Sequence, residues 1–262
     1  MGIVNVTPDS FSDGGDRFDR ATAVAAGERM AAQGADILDV GGESTRPGAE
    51  PVSEAEEMDR VLPVIERLVK QPELVVSVDT STPSVMQEAL ALGVGMINDV
   101  RAFTRAGALN DVAGSHCTLC LMHMQGSPET MQQAPRYDDP VTEVRNFLLM
   151  RVAACEFAGI ERKRLVLDPG FGFGKSLDHN LELLNRLSEL TQTGFPVLAG
   201  LSRKSMLGTI TGLPVDERLH ASVAAAVIAV MNGARIIRCH DVAATSEALK
   251  VAHSVITAGK ER

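Results

Sequence analysis

The strongest constraint on this chain is a unit that recurs along its whole length: a helical stretch, a glycine, a short apolar run, then a polar residue. Glycines that stop helices stand at Gly34, Gly93, Gly114, Gly159, Gly194 and Gly233. Without a Cβ the backbone there can turn left-handed and end the helix. An apolar run follows each glycine: Ile37–Leu38, Met96–Ile97, Leu119–Met122, Leu165–Leu167, Val197–Leu198 behind Pro196, and Ile236–Ile237. Ile3–Val4 at the start and Leu74–Val78 behind Gln71–Pro72 bring the runs to eight.

Continuous apolar runs, rather than alternating ones, are strands buried on both faces, which is the pattern of a parallel sheet crossed by helices. The intervening segments carry helix signals of their own. Ser53 and Glu56 have the spacing of a capping box for a helix ending near Val69. Pro83 and Pro140 suit first helical positions. Leu219, Val223, Val227 and Val230 recur at helical spacing before Gly233. Eight β/α units predict an α/β fold, a (β/α)8 TIM barrel. The length of 262 residues suits one such domain over 1–262. The competing architecture is an open doubly wound sheet. Its glycine fingerprint is missing after the first strand, where the chain reads Asn5, Val6, Thr7, Pro8, Asp9.

Charge and cysteine usage narrow the partners. A formal net charge of −9 excludes non-specific nucleic-acid binding, which needs a basic face. Any phosphate site is therefore a local basic pocket. Cys117 and Cys120 form a C-x-x-C, but a zinc site needs two more ligands, and no second pair exists in the sequence. They sit in a strand-like run, so we read them as buried free thiols of a reducing compartment. The chain shows no signal peptide and no apolar run of about 18 residues, so a soluble, cytoplasmic protein is expected.

The residues that close the strands carry the functional signal. They are Asn5; Asp39 with Glu43 and Thr45; Asp79; Asn98 with Asp99; His123; Asp168; Ser202 to Ser205; and Arg238 with His240. In a barrel these lie on the C-terminal face, where the chemistry of such enzymes resides. Any one of them could be a loop or cap hydrogen bond; a polar group from every strand is harder to explain that way. The cations Arg203, Lys204 and Arg238 gather after the last two strands, next to a helix starting near Ser205, as in barrel phosphate sites. Asp79, Asn98 and Asp168 come from strands three, four and six and suit a heterocycle rich in N–H donors. The loops Thr7 to Asp16 and Gly41 to Pro51 are long and polar, as functional lids are. Gly170 to Ser176 mimics a phosphate-binding loop, but Gly170 and Gly174 enclose three residues where that motif needs four. His123, a lone histidine between two methionines, reads as a hydrogen-bonded spacer.

Five segments resemble one enzyme family, the dihydropteroate synthases: Gly2 to Gly15 (GIVNVTPDSFSDGG), Asp39 to Gly48 (DVGGESTRPG), Asp168 to Lys175 (DPGFGFGK), Ser202 to Ser205, and Arg238 to Asp241. The resemblance runs from Gly2 to about Val255 and its first two motifs are long and specific. It implies a condensation of a dihydropterin methyl diphosphate with p-aminobenzoate. Asp79, Asn98, Asp168 and Lys204 would hold the pterin. Asn5, Arg238 and His240 would hold the diphosphate with Mg2+, Asn5 being the metal ligand. Thr45 would lie between them, and Arg46, Pro47, Phe173 and Ser205 would frame the p-aminobenzoate pocket. Asp79, Lys204 and Arg238 would be catalytic. The family also implies a homodimer, for which the apolar stretch Val223 to Met231 offers an interface stripe. Members of the family usually carry a segment before the first strand; here the chain opens almost inside it, so a shortened or more distant start and reduced stability are expected.

Two other readings compete on residues alone. A Schiff-base aldolase would use Lys204 as nucleophile, which needs an apolar lysine site. A non-catalytic pterin carrier shares the barrel but, in the families known, lacks the loop containing Thr45 to Gly48.

Overall fold

The structure is a computed structural model that describes residues 1–6, 15–43, 52–127 and 130–258, with the backbone alone over 15–19. Its elements run in the expected order: β1 Gly2–Asn5, α1 Gly15–Ala32, β2 Ile37–Gly41, α2 Glu54–Leu68, β3 Val75–Asp79, α3 Pro83–Leu92, β4 Met96–Asp99 and α4 Ala108–Ala113. Then follow β5 Thr118–Met122, α5 Pro140–Phe157, β6 Leu165–Asp168, α6 Leu177–Asn185, α7 Ser188–Thr191, β7 Leu198–Ala199, α8 Ser205–Thr211, α9 Leu219–Met231, β8 Ile236–Ile237 and α10 Val242–Thr257. The sixth and seventh crossovers each carry two helices.

The sheet closes on itself. Strands β1 to β6 are hydrogen-bonded in order and all parallel, and β7 pairs with β8. Leu167 N donates to Pro196 O at 2.9 Å, bridging β6 to the residues before β7. Ile3 N donates to Cys239 O at 3.1 Å, bridging β8 back to β1. The chain is therefore a closed (β/α)8 barrel rather than an open sheet.

The period of two along each strand separates two cores. Residues such as Leu38, Val40, Val78, Ile97, Leu119 and Leu167 point outward into the main core beneath the helices. Ile37, Met96, Cys120, Val166, Leu198 and Ile236 point inward and plug the barrel. Two positions further along the same inward faces stand Asp39, Asn98, Asp168 and Arg238. An apolar floor thus carries a polar storey directly above it. Cys117 and Cys120 fall in the outer and inner cores respectively, and all four cysteines are free and buried.

The helix signals resolve in detail. Ser53 Oγ accepts from Glu56 N at 3.3 Å, while the Glu56 carboxylate pairs with Arg60 at 2.5 Å. The reciprocal capping box lies elsewhere: Ser176 Oγ accepts from His179 N, and Ser176 N donates to His179 Nδ1, both at 3.2 Å. Pro83 and Pro140 open α3 and α5 as read. Five of the six expected stop glycines have positive φ; Gly114 is the exception, at φ −75°, because the six-residue α4 leaves through a right-handed turn instead. On α9 the fully buried face is Ser222, Ala225, Ala226 and Ala229, not the valine stripe. Small residues let this helix sit close on the barrel, and Val223, Val227 and Val230 are left half-buried beside it.

Candidate active site

One ladder level crosses four strands: Asn5 pairs with Gly41, Gly41 with Asp79, and Asp79 with Asn98. A Cβ on Gly41 would lie in ordinary contact with Asp79, 3.4 Å from its Cβ, so the carboxylate stands directly beside this glycine. One rung below, Asp39 is fully buried. Its Oδ2 accepts from Arg238 Nε at 2.7 Å and from Asn98 Nδ2 at 3.0 Å. Arg238 Nη2 donates to Asp79 Oδ2 at 2.8 Å. The guanidinium therefore ties two carboxylates across the barrel mouth; burial alone would lower its pKa, but the charges of Asp39 and Asp79 outweigh this and raise it. Burial pushes Asp79 upward from the usual carboxylate range; Arg238 opposes this, and the charges of Asp39 and Asp99 add to it. Asp39 Oδ1, Asn98 Oδ1 and Ser77 Oγ are buried with no partner among the described residues. A site with acceptors held open is built to receive donors.

The opposite wall is the loop after β6. Asp168 Oδ1 accepts from Gly170 N at 2.7 Å, and burial raises its pKa. A Cβ on Gly170, at φ 68°, would meet His123 O at 1.9 Å, so only glycine fits there. Lys204 Nζ stands 4.2 Å above the centre of the Phe173 ring. Its stem passes Gly172 so closely that a Cβ there would lie 3.1 Å from Lys204 Cδ. Burial lowers the Lys204 pKa to about 8, with Asp168 opposing and Arg238 reinforcing. Lys204 caps the start of α8, and Ser205 at its first turn is exposed.

His240 completes the rim. Its Nδ1 lies 3.0 Å from Ser202 Oγ, and its backbone N donates to the same oxygen at 3.2 Å. Burial and the nearby Arg203 and Arg238 lower its pKa to about 4, so the imidazole is neutral at pH 7. Arg203, counted among the cations of the sequence, is spent on Asp241 through bonds of 3.0 and 2.6 Å. The structure thus brings Asp79, Asn98, Asp168, Lys204, Arg238 and His240 to one mouth, with Asn5, Phe173 and Ser205 on its edge. The acidic and basic halves interlock through Arg238 rather than standing apart. Thr45, Arg46 and Pro47, and most of both long loops, lie outside the described residues.

Asp39 was visible in the sequence as a strand-end residue but had no assigned role. The signal was its place in Ile37–Gly41: a charge between apolar neighbours, on the inward face. His123 is the spacer its setting predicted, packed edge-on against Phe147 at 5.0 Å. Lys175 makes no phosphate cradle; it is buried between two loops. Among the described residues no group of three or more His, Cys, Asp or Glu is placed to hold a metal ion.

The model of the pterin binding enzymes matches residues 1–240. The chain belongs to this family. Dihydropteroate synthase of Escherichia coli strain K12 is 50% identical over 262 residues, covering 100% of this chain and 93% of that one. The Yersinia pestis dihydropteroate synthase, solved as a sulfonamide drug complex, superposes with a TM-score of 0.94 at 49% identity, covering 98% of this chain and 94% of that one. The Xanthomonas albilineans dihydropteroate synthase, solved with 4-aminobenzoic acid, gives 0.92 at 54% identity, covering 98% and 92%. Full-length identity at this level sets aside both the aldolase and the non-catalytic carrier. The activity is that of a dihydropteroate synthase: a transferase that condenses (7,8-dihydropterin-6-yl)methyl diphosphate with p-aminobenzoate, giving 7,8-dihydropteroate and diphosphate.

Proposed function

We propose a division of labour within the mouth that performs this reaction. The observation that carries it is the convergence of Asp79, Asn98 and Asp168 from β3, β4 and β6 with Lys204 on one cleft. Three acceptor-bearing groups and one donor match a pterin edge, whose amino group and ring N–H donate and whose carbonyl accepts. Asn5, Arg238 and His240 hold the diphosphate, and Thr45 lies between the two groups. Arg46, Pro47, Phe173 and Ser205 frame p-aminobenzoate, with its carboxylate toward the start of α8.

Breaking the C–O bond to diphosphate leaves positive charge on the pterin methylene, which the ring delocalises. The Asp79 carboxylate stabilises that charge electrostatically, while Arg238, and His240 as a neutral donor, stabilise the leaving oxygens. The neutral aryl amine then attacks the carbon, forming the C–N bond and losing one proton. The loops after β1 and β2 exclude water, the competing nucleophile. Mg2+ fits the donor chemistry here: it binds few protein ligands and completes its shell with phosphate and water. Asn5 would hold the ion through its carboxamide oxygen, and bound Mg2+ would supply charge neutralisation of the diphosphate.

We also infer a homodimer through the outer face of α9 and α10, where Ile228, Met231, Val251 and Val255 are exposed. The buried free thiols suit the reducing cytoplasm. Replacing Asp79 with Asn tests the electrostatic role. Single-turnover measurements are expected to show the chemical step slowed roughly a hundredfold or more, with pterin diphosphate affinity changed far less. An unchanged chemical step removes Asp79 from the mechanism.

A further inference from the structure

Lys175 is 3% exposed and hydrogen-bonds none of the side chains that line the mouth, although its charge is felt by Asp168 and Lys204. Its Nζ sits between the loop after β5 and the loop after β6. Four acceptors surround it: His123 Nδ1 at 3.0 Å, Gly170 O at 2.9 Å, Phe173 O at 3.0 Å and, further off, His123 O at 3.5 Å. Burial lowers the Lys175 pKa to about 7, with Asp168 opposing and Lys204 reinforcing; in the protonated form its three N–H groups match the three shorter contacts and Nδ1 accepts. Burial lowers the His123 pKa to about 3, which keeps that ring neutral and Nδ1 available.

The same two loops are fastened at other points. Tyr137 Oη donates to Gly174 O at 2.8 Å, and Gln132 Nε2 donates to Gly172 O at 2.5 Å. A Cβ on Gly174 would meet Gln125 O at 2.5 Å, so the backbones are in close contact. Of all these fastenings, Lys175 alone holds Phe173 itself, by its carbonyl. That carbonyl fixes the residue whose ring lies beneath Lys204.

We propose that Lys175 is a positioning residue for the p-aminobenzoate pocket, acting through Phe173: its buried side-chain nitrogen, spanning His123, Gly170 and Phe173, sets where that ring stands. This rests on the assignment of Phe173 to that pocket. A side chain with a hydrophobic stem alone would take the donor from His123 Nδ1 and Phe173 O, while Gly170 O keeps its bond from Phe173 N, and would release the loop.

A double-mutant cycle between Lys175→Met and Phe173→Ala tests it, with full-length enzyme, both substrates and Mg2+. Lys175→Met is expected to raise KM for p-aminobenzoate roughly tenfold and to leave KM for pterin diphosphate within about twofold. In the Phe173→Ala background the same change is expected to move KM for p-aminobenzoate by less than about twofold. Equal rises in both KM values, or effects that multiply independently of Phe173, overturn the proposal. If Phe173→Ala raises KM and Lys175→Met does not, Lys175 alone is misassigned. If Phe173→Ala changes nothing, the pocket assignment fails and the proposal with it. Should Lys175→Met not fold, His123→Phe removes one tether and keeps the ring packing. The same coupling to Phe173 is expected of it, and its absence overturns the proposal.

Discussion

Arg238 shows how one residue can serve both sides of a site. Its Nε and Nη2 are committed to Asp39 and Asp79, so it holds the acidic wall together while adding positive charge at the mouth. Removing one partner of such a pair leaves buried charge uncompensated, which costs about 3–5 kcal/mol. Arg238→Ala is therefore expected to weaken binding of dihydropterin both with and without its diphosphate, measured by calorimetry. Retained affinity for the diphosphate-free pterin would show that the pairing with Asp79 does not support the pterin wall. Lys204 sets a pH limit. Its pKa is lowered from 10.5 to about 8, so its charge is present below that value and lost as pH rises through it. The pH profile of kcat/KM for pterin diphosphate should fall on the alkaline side near pH 8. Lys204→Met should lower that parameter and flatten this limb, and a limb that persists in the variant would assign it to another group.

At the scale of elements, the strands were legible because each is apolar, short and bounded by a glycine or proline behind it. All eight apolar runs became strands or the residues bridging into them. What pairing across the barrel does was not legible. Asp39 and Arg238 are 199 residues apart in sequence and meet only because β8 closes on β1. Gly114 ends α4 and the valine spacing marks α9, as expected, but the handedness of that turn and the buried face of α9 were not legible, because they depend on what packs against each helix. The cap of α5 is a case where local chemistry decides. Asp139 Oδ1 accepts from Val141 N at 3.0 Å and Thr142 N at 3.1 Å, and hydrogen bonds to Thr142 lower its pKa from 3.8 to about 2. Asp139→Ala is expected to cost about 1 kcal/mol in urea denaturation at pH 7. Because the folded pKa is the lower one, that contribution is present above pH 3.8 and is lost as pH falls through about 2. A variant as stable as the parent at pH 7 would show the cap to be replaceable by water.

For the molecule as a whole, the barrel divides stability from chemistry along its axis. An apolar plug of Met96, Cys120, Val166 and Leu198 fills the interior, and the residues two places further along the strands make a mouth of fixed charges. The fold class followed from periodicity, and the mouth from the polar residue closing each strand. The substrates did not follow from either; they came from motif resemblance and from full-length relatives. The reaction at this mouth joins two substrates: p-aminobenzoate takes the pterin from its diphosphate. Its most direct measurement is diphosphate release from (7,8-dihydropterin-6-yl)methyl diphosphate with Mg2+, followed as p-aminobenzoate is titrated. Release is expected to saturate with p-aminobenzoate and to match dihydropteroate formed mole for mole. Release that proceeds at the same rate without p-aminobenzoate would contradict it.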